Sequence, residues 1–171
     1  MAYWDNISLE RISGSRLLAP LAPLFSGATY LGDGYLWGGL ALLLMLRGEL
    51  DRRYVLIGLG ITVINVITYT LLKLCFKRPR PLPFQSSLRS LVLERYSFPS
   101  GHSAVSFSIA FLIARFYPVL WGQLAVYLAA AFVGLSRIYV REHYLSDVIA
   151  GAAWGTALTV ALLPLFAKFT L

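Results

Sequence analysis

Residues 54–72 read YVLIGLGITVINVITYTLL, nineteen consecutive positions without a charged side chain. As a helix they rise about 29 Å, close to the hydrocarbon thickness of a bilayer. Working outward, residues 29–46, 119–135 and 147–167 read the same way. Residues 100–117 form a fifth apolar stretch, polar only at its start and at Arg115. Residues 16–28 are apolar but broken by Pro20 and Pro23, which fits either a short extra span or a helix lying in the interface. The expectation is an all-α integral membrane protein, a bundle of five to six transmembrane helices forming a single domain over residues 1–171.

Composition agrees. The chain is 58% hydrophobic and 13% charged, with a mean hydropathy of +0.69. A water-soluble domain carries about a quarter charged residues, so this chain has too little polar surface to cover a soluble globule. Tyr30, Tyr35, Trp37, Tyr54, Tyr117, Trp121 and Tyr139 cluster near the ends of the expected spans, as in aromatic belts. The net charge of +7 suits anionic lipid headgroups or another anionic ligand. There is no Lys/Arg-rich run of the kind that marks nucleic-acid patches. Cys75 is the single cysteine, which excludes an internal disulfide and a thiolate metal cluster within one chain. The N-terminus lacks the layout of a cleaved signal peptide. Gly151 and Gly155 form a Gly-x-x-x-Gly pair on the last span, read as close helix packing and not as evidence of a dimer.

With five spans, residues 73–99 and 136–146 connect helices on one side of the membrane, and the unusual polar residues gather there. Lys73 ends the second span, with Arg80 seven residues later among prolines; alone this is an ordinary basic stop signal. Pro99-Ser100-Gly101-His102 opens the third span. Ser100 is a good N-cap there, and the free N–H groups of a helix start bind anions. Gly101 permits close backbone approach. Arg137, His143 and Asp147 follow the fourth span. His143 and Asp147 are four apart and would share a face of a helix, so that Asp147 could orient the imidazole as in a nucleophilic triad. Each cluster alone has a bland explanation. Together they supply cations for phosphoryl oxygens, an anion-binding helix start and both histidines of the chain, which is the set phosphoryl transfer needs. Only His143 has a carboxylate four residues on, so it is the better candidate nucleophile. Glu142 reads as a solvated or structural charge. The three cations disfavour a metal and favour an anion; no cofactor is expected.

These residues resemble the three signature motifs of the type 2 phosphatidic acid phosphatase family, which also includes the vanadium haloperoxidases. The pattern Lys-x6-Arg-Pro is met by Lys73, Arg80 and Pro81. Pro-Ser-Gly-His is met by residues 99–102, and Ser-Arg-x5-His-x3-Asp by Ser136, Arg137, His143 and Asp147. Leu31-Gly-Asp-Gly34 is also similar to smaller family members. The resemblance implies that His143 attacks phosphorus, Asp147 orients it and His102 protonates the leaving oxygen. It further implies that Lys73, Arg80, Arg137, Ser100 and Gly101 hold the phosphate. The implied substrate is a lipid phosphate monoester or pyrophosphate: lipid A 1-phosphate, undecaprenyl pyrophosphate, phosphatidylglycerophosphate or phosphatidic acid. A phosphotransferase passing the group to a lipid hydroxyl would use the same site. The implied location is the bacterial inner (cell) membrane with the site facing the periplasm or cell exterior. Ten of the fifteen Lys and Arg lie on the motif side, but removing Lys73, Arg80 and Arg137 leaves seven against five, so charge does not decide the orientation. Residues 82–98, with Arg89 and Arg95, are expected to lie in the interface beside the site and to influence headgroup choice.

Overall fold

The computed structural model describes residues 3–81 and 95–170. Most of the segment expected to select the headgroup, Arg89 included, lies outside the described residues. Within them the protein is helical, apart from turns and an isolated bridge between Pro79 and Tyr96. The helices are α1 (Tyr3–Ser13), α2 (Ala22–Tyr30), α3 (Leu36–Met45), α4 (Glu49–Phe76), α5 (Gly101–Phe116), α6 (Leu120–Tyr139) and α7 (Leu145–Thr170).

The apolar run that opened the reading is the middle of α4. Glu49 and Asp51 in its first turn complement the helix dipole. At the other end Lys77 adopts the left-handed conformation (φ 47°), and its N–H donates to the Lys73 carbonyl at 2.9 Å. Pro79 and Pro81 follow and prevent continuation. Twenty-eight residues rise about 42 Å, more than a hydrocarbon core, so Lys73 emerges near the interface. Stretches Glu49–Phe76, Leu120–Tyr139 and Leu145–Phe166 are each long and apolar enough to cross a membrane; α3 and α5 are shorter apolar helices. Leu56, Leu59, Val63, Ile67 and Leu71 of α4 point outward, as a lipid-facing surface requires. The chain is an all-α integral membrane protein.

The first span differs from the expected unbroken helix. A π-helical segment, Leu31–Tyr35, joins α2 to α3, with Gly34 at φ +116°. A Cβ on Gly32 would lie 2.8 Å from Val133 and 3.2 Å from the His102 ring, so glycine lets this bulge rest on α6 and on the start of α5. Residues 16–28 form no span of their own. Pro20 and Pro23 sit in the first turns of a 3-10 turn (Ala19–Leu21) and of α2, where a missing N–H is tolerated.

Helices α5 and α7 form the centre of the bundle. Gly151 and Gly155 allow their backbones to touch, so the Gly-x-x-x-Gly pair packs within one chain. Polar ties cross the apolar interior: Ser108 with Thr159 (2.6 Å), Asn65 to the Ala104 carbonyl (3.1 Å), and Trp37 to Ser106 (2.9 Å). Helix α1 lies at the motif end of the bundle, where Leu9 packs with Ile138 and Tyr144.

Candidate active site

Each sequence cluster sits where a helix starts or stops, and the three meet. Ser97 N–H donates to the Arg78 carbonyl (2.8 Å), tying the end of the first connection to its beginning. Ser100 N–H donates to the Asp147 carbonyl (3.0 Å), tying the start of α5 to the start of α7. Ser100 caps α5 as expected, its hydroxyl accepting from the Ser103 N–H and hydroxyl. Gly101 is buried, and a Cβ there would come 2.8 Å from the Tyr69 ring. The close approach that requires glycine is therefore made, at least in part, by a tyrosine.

His143 does not lie on a helix. Helix α6 ends at Tyr139, and Arg141 takes the left-handed conformation (φ 59°). The backbone then doubles back, with the N–H groups of Glu142 and His143 both donating to the Arg137 carbonyl (3.0 and 3.1 Å). Helix α7 begins at Leu145. The His–Asp pair is thus formed across a helix start and not along one helical face. His143 Nδ1 lies 3.7 Å from Asp147 Oδ2 and makes no hydrogen bond. That leaves Nε2 as the nitrogen facing away from the carboxylate.

The His143 side chain is 1% exposed. Burial, followed by the charges of Arg80, Lys73 and Arg137 and then His102, holds its pKa well below the usual imidazole value near 6.5. All four charged groups therefore act electrostatically on His143. A neutral buried imidazole contributes stability that is fully present above pH 6.5 and is lost as pH falls through the depressed value. With only two histidines in the chain, ¹⁵N-histidine spectra should show His143 still neutral at pH 6. Titration at 6.5 or above would contradict this environment. Lys73 is buried, with its ammonium donating to the Tyr96 carbonyl at 3.2 Å. Arg80 and Arg137 both donate to Oε2 of Glu142, Arg80 at 2.8 Å.

Three participants were not singled out from sequence. Glu142, expected to be a bystander, sits among the cations. Arg78 reaches Asp147 Oδ1 with Nη1 (2.6 Å) and Asp5 Oδ2 with Nη2 (2.6 Å), while its guanidinium stacks over Tyr144 at 4.3 Å. Asp5, in α1, also accepts from the Ser146 N–H (3.1 Å) and hydroxyl (2.8 Å). Burial acts to raise the pKa of Asp5, but the bonds from Arg78 and Ser146 outweigh it and leave it lowered. Asp147 Oδ2 meanwhile accepts the Tyr144 N–H (2.9 Å). The carboxylate beside His143 is thus fixed from two other directions.

Residues 54–171 match the family model described as the PAP2 superfamily. The chain belongs to this superfamily. Over 61 residues, 34% of the chain, it is 44% identical to a lipid A 1-phosphatase of Porphyromonas gingivalis, of which that stretch is 14%. The chain spans less than a third of the length of the curated relatives it matches. Among solved structures, Aquifex aeolicus LpxE superposes with a TM-score of 0.77 at 25% identity, over 95% of this chain and 96% of that one. A PAP2-type phosphatidylglycerolphosphate phosphatase from Bacillus subtilis shares the fold, with a TM-score of 0.70 at 24% identity, over 98% and 88%. In this PAP2 chain the matched region starts at α4, so α1 with its Asp5 contact and the bulge beside His102 lie before it.

Proposed function

We propose that this protein hydrolyses the phosphate monoester or diphosphate of a membrane lipid through a phosphohistidine on His143. The observation that carries the reading is a buried imidazole, His143, with Nδ1 3.7 Å from the Asp147 carboxylate and with the charges of Arg80, Lys73 and Arg137 acting on it. Nε2 of His143 attacks phosphorus in line as the bond to the lipid oxygen breaks. His102 gives its proton to that oxygen. Positive charge on the phosphorylated imidazole is stabilised by Asp147, with Arg78 keeping the carboxylate in place. Water then attacks the phosphohistidine, His102 takes up a proton, and inorganic phosphate leaves. Lys73, Arg80 and Arg137, with Ser100 and the Gly101 N–H, bind the non-transferred oxygens; their main contribution is electrostatic stabilisation of the transition state.

A lipid substrate is supported by the membrane setting and by an apolar cavity of about 270 Å³ between α3, α4 and α5. It runs from Gly34, in the bulge that touches His102, past Trp37 and Ile109 to Phe116. The relatives bring lipid A 1-phosphate to the head of the substrate list, with undecaprenyl pyrophosphate, phosphatidylglycerophosphate and phosphatidic acid behind it. The proposed placement is the bacterial inner (cell) membrane with the motif end facing the periplasm or cell exterior.

Purified protein should release inorganic phosphate from at least one of these four lipids. It should do so undiminished in EDTA, because three cations around the nucleophile oppose a divalent ion. Vanadate should inhibit by occupying the same cations. Phosphate appearing on a second lipid in place of free phosphate would make the enzyme a phosphotransferase. Activity lost in EDTA and restored by a divalent ion would overturn the metal-free mechanism. Intact cells should hydrolyse an added membrane-impermeant ester; hydrolysis only after lysis would reverse the orientation.

A further inference from the structure

Glu142 is in direct contact with two of the proposed phosphate-binding cations. A single oxygen, Oε2, accepts from Nη1 of Arg80 at 2.8 Å and from Nη2 of Arg137. The two arginine side chains are 6% and 1% exposed, whereas Glu142 is 24% exposed. One anionic oxygen shared by two guanidinium groups is also how an equatorial phosphoryl oxygen would be held. Two buried guanidinium groups that meet on one carboxylate oxygen form a site whose charge and donors suit an anion. Glu142 precedes the nucleophile on the same turn, and its greater exposure leaves room to move aside.

We propose that Glu142 is an internal occupant of the phosphate pocket: it competes with substrate and with inorganic phosphate for Arg80 and Arg137. This rests on the reading that these arginines hold the substrate phosphate. A phosphate dianion offers three oxygens and a higher charge, and displaces the carboxylate. After hydrolysis the carboxylate returns to the arginines and helps expel the product. The other role the contacts allow is a fixed brace, with phosphate taking the remaining donors of arginines that Glu142 holds in position. The two roles have opposite consequences for anion affinity.

The test uses the full-length protein in detergent with a soluble phosphate ester, comparing wild type, Glu142→Gln and Glu142→Ala. Inhibition constants for vanadate and inorganic phosphate are measured; these do not depend on what fraction of a preparation has folded. An internal competitor, once neutralised, should lower both constants roughly tenfold, the usual size of one charge-assisted contact. The KM should fall with them, and kcat should fall less than threefold or be limited by slower phosphate release. Constants that stay the same or rise in Glu142→Gln would make Glu142 a brace and overturn the proposal. A wild-type enzyme that neither anion inhibits would instead remove the phosphate pocket itself, and with it the proposed function.

Discussion

Replacing His143 by Ala should lower turnover at least about 10³-fold, a loss of roughly 4 kcal/mol in transition-state stabilisation. The size follows from the site's division of labour. On the proposed mechanism the cations and the start of α5 would still bind and polarise a phosphate, while the group that forms the covalent intermediate would be gone. Arg80, Arg137 and Lys73 arise from separate elements, so affinity for inorganic phosphate should survive the substitution and show that the pocket remains assembled. Activity within a few-fold of wild type, with phosphate still bound, would mean that His143 is not the nucleophile.

Gly155→Ala should be the most damaging of the small changes in the bundle. Its added Cβ would lie 1.9 Å from the Ala104 carbonyl oxygen and 2.7 Å from the carbonyl carbon. These are backbone atoms of α5 and cannot rotate away, so α5 and α7 must separate. Overpacking of this kind costs about 3 kcal/mol, which for a chain of this size lowers the melting temperature by about 10 °C. Activity should fall too, because Ala104 is two residues from His102 and Asp147 sits two turns from Gly155. Gly122→Ala is the control: its Cβ would meet only Val119, at 4.0 Å. A Gly155→Ala protein melting within 2 °C of wild type would show that the helices do not approach this closely.

The spans were legible because hydrophobic length is a strong one-dimensional signal, and residues 54–72 gave it without interruption. The break in the first span was less so. Gly32 and Gly34 announce flexibility, but what fixes the bulge is its contact with Val133 and His102, which are distant in sequence. The candidate site residues could be named because each cluster is local, and the helix ends bring those clusters together. The His143–Asp147 spacing suggested a shared helical face, yet the left-handed Arg141 and the start of α7 produce the proximity by a different route. Asp5 and Arg78 carried no signal of partnership: 73 positions separate them, and either alone reads as a surface charge. Glu142 was passed over because neighbours on a helix point apart, and the segment is not a helix.

The claim that phosphate passes through His143 is tested most directly by rapid-quench labelling. Wild-type protein is mixed with a ³²P-labelled lipid phosphate and quenched within a turnover. The account predicts protein-bound label that is acid-labile and base-stable, maps to the peptide carrying His143 and is absent from His143→Ala. Label on another residue, or steady phosphate release with no labelled protein at any time down to the first turnover, would contradict it.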